Sequence, residues 1–394
     1  MQPSKKMFSL LSFLLLTGFL IADTSNGLAP EVTDLNAEDV SYSLEKKIPY
    51  LKTAFVDFVP NDLDDFIPVG TLDSDSVNKE AIESFLQEIA DEKHGNTDSF
   101  LISHKNHLLV ESYFKRGRIN YPHYQMSITK SYTALAIGRA IKLGYMDMED
   151  LNKPIVHFLK DLDLSSIASG TKEITLHQAM HMKSGIRIDK KISKELMKDP
   201  ESLKKQGQIQ AYLQYTQPIK SSEVTFKYQG ADPSIAMQIL EVKVPGSAED
   251  FIRDELLKPM GITNYSWQED VSGLPKSAAG SSICSRDMLK FGMLMMNKGV
   301  FNDQPLIDPE FIEIATSALD KNPNRTYGYF WWGHEVKVGS KTYSCTSGRG
   351  AGGQLILIFP QLELILVTTA HNKGMGQMLK LAGQRVIPAL FGKI

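Results

Sequence analysis

The chain has 394 residues, 42% of them hydrophobic and 23% charged, with a formal net charge of −3. That length can bury a large core as one domain of two lobes or as two domains, and the composition is that of an ordinary globular protein. The small charge and the lack of any long basic run leave no electrostatic footprint for nucleic acid. Two cysteines, Cys284 and Cys345, are too few for a disulfide framework or a Cys-based zinc site.

Lys5-Lys6 precede an apolar run from Met7 to Ala22, and small residues follow in Ser25-Asn26-Gly27. This reads as a secretory signal peptide over residues 1–27, cut after Gly27, with an uncleaved membrane anchor as the alternative. No cysteine follows the run, so a lipoprotein anchor is not expected. The chain is therefore expected to be periplasmic or secreted, touching a membrane only through an uncleaved N-terminal segment. Residues 28–75 lack a sustained period and read as an N-terminal extension wrapping the main body, which spans 76–394.

From Asn78 to Glu92 apolar pairs recur at helical spacing. Strands are predicted over Ser99–Ser103 and Leu108–Phe114, with Lys105-Asn106 as the turn. A helix beginning at Ser127 is expected to stop near Gly144. From Asp147 to about Leu257 the pattern is mainly helical, including helices over Thr175–Met182 and Pro233–Glu241. Strands return over Tyr327–Trp332, Glu335–Val338, Leu355–Phe359 and Leu364–Thr369, before a last helix over Gln377–Val386. Strands near both ends and helices between them predict an α+β fold: one antiparallel sheet built from both chain ends and flanked by helices, with a mainly helical lobe inserted.

The pair Ser127/Lys130 stands nearly one helical turn apart, so a lysine whose pKa is lowered by burial could act as base for the serine. Ser-x-x-Lys is a common pattern, however, and this chain holds six copies. Ser112/Lys115 lies in a predicted strand, where positions three apart face oppositely. Ser43/Lys46 lies in the extension and Ser169/Lys172 in a Gly-containing loop. Ser76/Lys79 and Ser202/Lys205 open polar helices. Only Lys130 is followed by a mainly apolar helix able to desolvate it, and Ser127 sits at a helix start that favours developing negative charge. Tyr228, in a Gly-containing turn before a helix, is the candidate proton relay, although a lone tyrosine is more often a packed or surface residue. The run Thr346-Ser347-Gly348-Arg349-Gly350-Ala351-Gly352-Gly353-Gln354 precedes an apolar strand, where glycines allow close approach of a substrate; a bulged edge strand is the plainer explanation.

Ser127-x-x-Lys130, Tyr228 and the Gly-rich strand follow in the motif order of serine β-lactamases and penicillin-binding proteins. The chain most resembles the class C branch of that superfamily, with its related esterases and 6-aminohexanoate-dimer hydrolases. Matching stretches are Gln125–Thr133, Ile174–Gly185, Phe226–Asp232, Ala279–Gly292, and Gly352-Gly353-Gln354 through Phe359-Pro360. The resemblance implies a β-lactamase/transpeptidase-like fold without metal or cofactor. It implies a serine hydrolase in which Ser127 attacks an ester or amide carbonyl, while Lys130 and Tyr228 share the proton work. The Ser127 N–H would be one oxyanion donor. The third motif falls on Cys345-Thr346-Ser347 or Thr346-Ser347-Gly348, making the second donor Gly348 or Arg349.

Two departures bear on substrate. Relatives that bind β-lactams usually carry asparagine where this chain has Gly230, and Lys or His where it has Cys345 or Thr346. The lost cation would hold a carboxylate, and Arg349 is the candidate replacement. Both departures favour an esterase or amidase acting on a small-molecule or peptidoglycan-like substrate. A β-lactamase or D,D-carboxypeptidase is the alternative within that chemistry, and a non-catalytic penicillin- or peptidoglycan-binding sensor is the alternative outside it. Other features read as structural: His177 and His181 as a packed or surface pair, Trp331-Trp332 as a core strand or a cleft wall, and Arg286-Asp287 as an ion pair.

Overall fold

Apolar alternation in the C-terminal strands decides the architecture. Along Gln354–Phe359, Leu355, Leu357 and Phe359 join one core cluster while Ile356 and Ile358 join another. Leu364 and Leu366 alternate with Ile365 and Val367 in the same way. Both faces of these strands are apolar, so each needs a covering layer.

The computed structural model describes residues 29–33, 40–72, 77–322 and 325–392. The apolar N-terminal run and the expected cleavage point lie outside them. Nine strands form the main sheet: β1 (Phe55–Asp57), β2 (Thr97–His104), β3 (His107–Tyr113), β4 (Asp320–Asn322), β5 (Arg325–Tyr327), β6 (Trp332–Val338), β7 (Lys341–Gly350), β8 (Gln354–Phe359) and β9 (Leu364–Ala370). Their spatial order is β1-β3-β2-β9-β8-β7-β6-β5-β4, with every neighbour antiparallel. The β9–β2 pairing, in register from Leu364 opposite His104, joins the two ends of the chain.

Four helices position the rest: α1 (Lys79–Ala90), α2 (Ile128–Lys142), α3 (Ala231–Lys243) and α4 (Ser285–Met296). The Asn78 side chain caps α1 by accepting from the Ala81 N–H. Ile82, Phe85, Leu86 and Ile89 then cover one sheet face beside the C-terminal helices of residues 378–391. The other face carries α4, which can lie close because residue 292 is glycine: a Cβ there would come within 2.7 Å of Ile365 Cγ2. The helical lobe, with α2 and α3 in contact, is inserted between β3 and β4. A small sheet of His123–Tyr124, Ser281–Ile283 and Tyr265–Trp267 fastens the entry to α2.

The α+β architecture follows the sequence reading, with three local differences. The stretch Tyr327–Trp332 is a chain reversal rather than one strand: Phe330 takes φ 60° and the Gly328 N–H donates to the Trp331 carbonyl at 3.0 Å. The Gly-rich third-motif run is mostly regular strand β7, because pairing with β6 and β8 supplies the order that its residues do not. The extension contributes β1 at the sheet edge and Asp65, whose carboxylate accepts from Arg286 Nε at 2.8 Å.

Candidate active site

Ser127 stands at the sharpest bend before α2. Met126 adopts φ 51° and Ser127 then turns helical, at φ −75° and ψ −4°. The Gln125 N–H is held by the Ser281 carbonyl at 2.8 Å, and the Gln125 amide donates to the carbonyls of His123 and Ile283. The N–H groups of Ile128, Thr129 and Lys130 bond back to Gln125, Met126 and Ser127; among the described residues no backbone carbonyl takes that of Ser127. An available donor at a helix start suits a developing oxyanion.

Lys130 is 4% exposed. Its Nζ lies 3.0 Å from Ser127 Oγ and donates to the Ala278 carbonyl at 2.5 Å. Burial lowers its pKa to about 8, and among the described residues no carboxylate opposes that effect. The small polar residues beside it are locked by the helix and its surroundings. Ser131 Oγ donates to the Phe330 carbonyl at 2.8 Å, and Thr133 Oγ1 to that of Thr129 at 3.0 Å.

Tyr228 completes the cluster. Its ring lies 4.8 Å from Lys130 Nζ, which places the phenol beside the Ser127–Lys130 pair. Tyr228 is 38% exposed, and the desolvation it does undergo raises its pKa above the ordinary tyrosine value, against the opposing pull of Ser127 and the Arg349 charge. The loop that presents Tyr228 is anchored by Asp232, which is fully buried and accepts from the Ser184 N–H at 3.1 Å and the Gln229 amide at 2.5 Å. Burial raises the Asp232 pKa to about 6. The Lys227 N–H bonds to the carbonyl of Met182, itself at φ 62°. Loops 182–185 and 226–232 thus fix one another, a physical reason for the residue pattern in both.

In the third motif Cys345 packs into the far core layer, while Gly348 faces α2. A Cβ on Gly348 would meet Ile128 Cγ2 at 3.3 Å and Trp331 at 3.4 Å. Any larger side chain there would push β7 away from the serine. Pairing with β6 ends at Trp332 opposite Ser347, so the edge from Gly348 to Gly350 lies open beside the site. Thr346 is half-buried and Ser347 fully buried, with its Oγ lacking a partner among the described residues. Arg349 reaches round to His334 Nε2 at 3.2 Å and to the Trp332 ring, 5.8 Å away. Cys284 and Cys345 are both buried and unpaired.

The sequence reading did not single out the Ala278 carbonyl, Asp232, Tyr327, Arg325 or His334. The first two act through backbone and loop geometry that no spacing reveals. Tyr327 and Trp332 pack at 4.6 Å and flank Tyr228 at 6.2 and 5.4 Å, so Trp332 lines the site while Trp331, 1% exposed, enters the core. Next to this wall a cleft of about 370 Å³ is lined by Gly230, Gln229, Ala278 and Tyr212 among others. Gly230 sits at φ −88°, open to any residue, and an added Cβ would touch only Ala278 Cβ at 3.7 Å. Its glycine widens the cleft rather than serving the backbone.

Two side-chain expectations resolve differently. Arg286 and Asp287 do not pair with each other: Arg286 bonds Asp65 and Glu111, and Asp287 bonds Lys290 at 2.7 Å. Adjacent helical residues point apart, which is the reason. His177 and His181 pack edge-to-face at 4.6 Å, with His177 Nδ1 bonded to Tyr329 and His181 Nδ1 to the His177 carbonyl. Glu45, Asp98 and His123 have spacing compatible with a metal, yet His123 bonds Glu45 and Asp98 bonds His371.

The model of the Beta-lactamase family matches residues 82–389, and the chain belongs to that family. No curated protein matches significantly. Among solved structures it is similar to a Bacillus anthracis protein described as a candidate 6-aminohexanoate-dimer hydrolase, at 18% identity and TM-score 0.64, covering 93% of this chain and 97% of that one. A penicillin-binding protein homologue from Caulobacter crescentus has 14% identity and TM-score 0.63, covering 86% of this chain and 100% of that one. A class C β-lactamase has 15% identity and TM-score 0.59, covering 80% and 94%. The protein is therefore a member of the serine β-lactamase and penicillin-binding protein superfamily, a family of hydrolases.

Proposed function

We propose that the protein is a serine hydrolase that cleaves an ester or amide bond through an acyl-enzyme on Ser127. The observation that carries this reading is Lys130 Nζ at 3.0 Å from Ser127 Oγ, buried without a counter-charge and with its pKa at about 8. Neutral Lys130 takes the hydroxyl proton as Oγ bonds to the carbonyl carbon. The Ser127 N–H and that of Gly348 or Arg349 receive the oxyanion. Tyr228, beside Lys130, passes a proton to the leaving oxygen or nitrogen, which departs as alcohol or amine. Water, deprotonated by the same pair, then releases the acyl group as a carboxylic acid.

Gly230 and Cys345 favour an ester or amide other than a β-lactam, since both positions lack the side chains that would grip one. The basic and apolar N-terminus supports an exported protein. Treatment with a fluorophosphonate should modify Ser127, as mapped by mass spectrometry, and a labelled penicillin should leave it free. A folded protein without the Ser127 adduct would overturn the reading, and a penicillin adduct would return it to β-lactam chemistry.

A further inference from the structure

Tyr50 lies in the N-terminal extension and is held from both sides. The Pro49 carbonyl accepts from Arg118 Nη2 at 3.0 Å, and the Leu51 N–H donates to the Lys115 carbonyl at 2.8 Å. The Tyr50 side chain is 50% exposed, and its hydroxyl lies 2.8 Å from Nε2 of His371, which directly follows β9. His371 Nδ1 in turn meets the two Asp98 carboxylate oxygens at 3.0 and 2.8 Å. Asp98 is fully buried and also accepts from the Arg116 N–H at 3.0 Å, which fixes its carboxylate against the imidazole.

A hydroxyl on an imidazole that is itself held by a carboxylate is the arrangement that activates a nucleophile. A carboxylate only accepts, so the His371 proton resides on Nδ1 and the lone pair of the neutral ring faces the Tyr50 hydroxyl. Asp98 also stabilises the imidazolium that forms when the phenol gives up its proton. Cations flank the oxygen that turns negative. Lys115 Nζ and the Arg116 guanidinium carbon lie 5.1 and 5.8 Å from the Tyr50 ring. Lys115 is already paired with Glu92 at 2.9 Å. Among the described residues no carboxylate pairs with Arg116, and its buried Nε has no hydrogen-bond partner. A plain clasp between the extension and the sheet would need neither an exposed phenol nor an unmatched guanidinium beside it.

We propose that Tyr50 is a second nucleophile of this protein, distinct from Ser127, which the His371–Asp98 pair activates to take the acyl group of an activated ester. The Tyr50 oxygen bonds to the carbonyl carbon as its proton passes to His371 Nε2. The bond to the leaving oxygen then breaks, the same proton goes to that oxygen, and an alcohol or phenol departs from O-acylated Tyr50. His371 ends neutral, as it began, and Asp98 keeps its charge throughout. No step uses Ser127, Lys130 or Tyr228, so acylation of Tyr50 is independent of the hydrolase site.

The test uses the full chain carrying Ser127→Ala, which removes the Ser127 hydroxyl, with 4-nitrophenyl acetate as the acyl donor. Acetylated tyrosines are mapped and timed by mass spectrometry. Tyr42 and Tyr215, 41% and 43% exposed, are internal controls of similar accessibility. Tyr42 carries Lys46 Nζ 3.8 Å over its ring and hydrogen-bonds no histidine among the described residues, so it separates the effect of a cation from that of a base. Tyr50 should be acetylated about a hundredfold faster than either control, the scale of general-base assistance. His371→Gln should bring Tyr50 down to the control rate while Tyr42 and Tyr215 keep theirs. Asp98→Asn should act in the same direction by favouring the wrong imidazole tautomer. A structural clasp would leave Tyr50 no faster than the controls, or leave its rate unchanged in folded His371→Gln, and either result overturns the assignment. Should His371→Gln fail to fold, the comparison of the three tyrosines in the Ser127→Ala protein decides alone. Labelling of Ser127 by fluorophosphonate in the wild type is read separately, so failure of one nucleophile is told from failure of the other.

Discussion

Ser127/Lys130 and Asp287/Lys290 present the same spacing and nearly the same burial, with the two lysines 4% and 1% exposed. Lys290 meets a carboxylate at 2.7 Å, whereas Lys130 meets a hydroxyl at 3.0 Å and a carbonyl at 2.5 Å. A counter-charge makes a buried lysine a structural cation. Its absence suits the lysine to the part of a base proposed for it, because burial then disfavours the protonated form without opposition. The comparison teaches that the partner, rather than the burial, separates the two roles.

The largest effect that would break this comparison concerns chemistry. Ser127→Ala and Lys130→Met should each lower kcat/KM for an ester substrate by about a thousandfold or more, whereas Lys290→Met should alter it little in the protein that remains folded. Stopped assays at matched folded concentrations read this out. Equal losses in both lysine variants would erase the distinction.

Stability should move in opposite directions. Lys130→Met removes a buried cation without an acid, and denaturant unfolding at pH 7 should show a gain of about 1–2 kcal/mol. The sign follows from the depressed pKa: between about 8 and 10.5 the unfolded chain holds the proton that the folded site has lost, so stability rises with pH across that window. At pH 7 the folded protein bears the full penalty, and the substitution relieves it. Lys290→Met instead leaves Asp287 buried and alone, at a cost of about 3 kcal/mol.

Tyr228→Phe should lower kcat about a hundredfold with a smaller change in KM, since it removes a proton relay and keeps the ring against Trp332. The pH profile sharpens the role of Lys130: kcat/KM should rise tenfold per unit and level off near pH 8, where the neutral base predominates. A profile flat from pH 6 to 9 would remove Lys130 as the base. Gly230→Asn should have the smallest effect, leaving the unfolding midpoint nearly unchanged because only Ala278 Cβ stands near. It should slow bulky esters, measured against acetate esters, by narrowing the cleft.

Much of this was legible in the chain. The period-two alternation of Leu355–Phe359 and Leu364–Thr369 named the sheet, because a strand with two apolar faces must lie between two layers. The apolar text after Lys130 separated its copy of Ser-x-x-Lys from five others, since only a buried lysine becomes a base. The Tyr327–Trp332 reversal was not legible. Its aromatic run reads as strand, and the φ of Phe330 is dictated by the packing of Trp331 and Trp332 into different environments. The third motif was only half legible: Gly348 has its reason in the approach of Ile128, a contact between residues 220 apart.

By itself the sequence determined the layers, the order of the elements and the candidate nucleophile–base pair. Each rests on spacing along the chain, where helix and strand periods convert position into direction. Only the tertiary structure decided which charges are matched. It joined Arg286 to Asp65 and Glu111, set Arg325 and Arg349 around Trp332 with no acid paired to them among the described residues, and placed the Ala278 carbonyl against Lys130. Whether an ionisable group is paired or merely buried depends on segments brought together through space, and no local period encodes that.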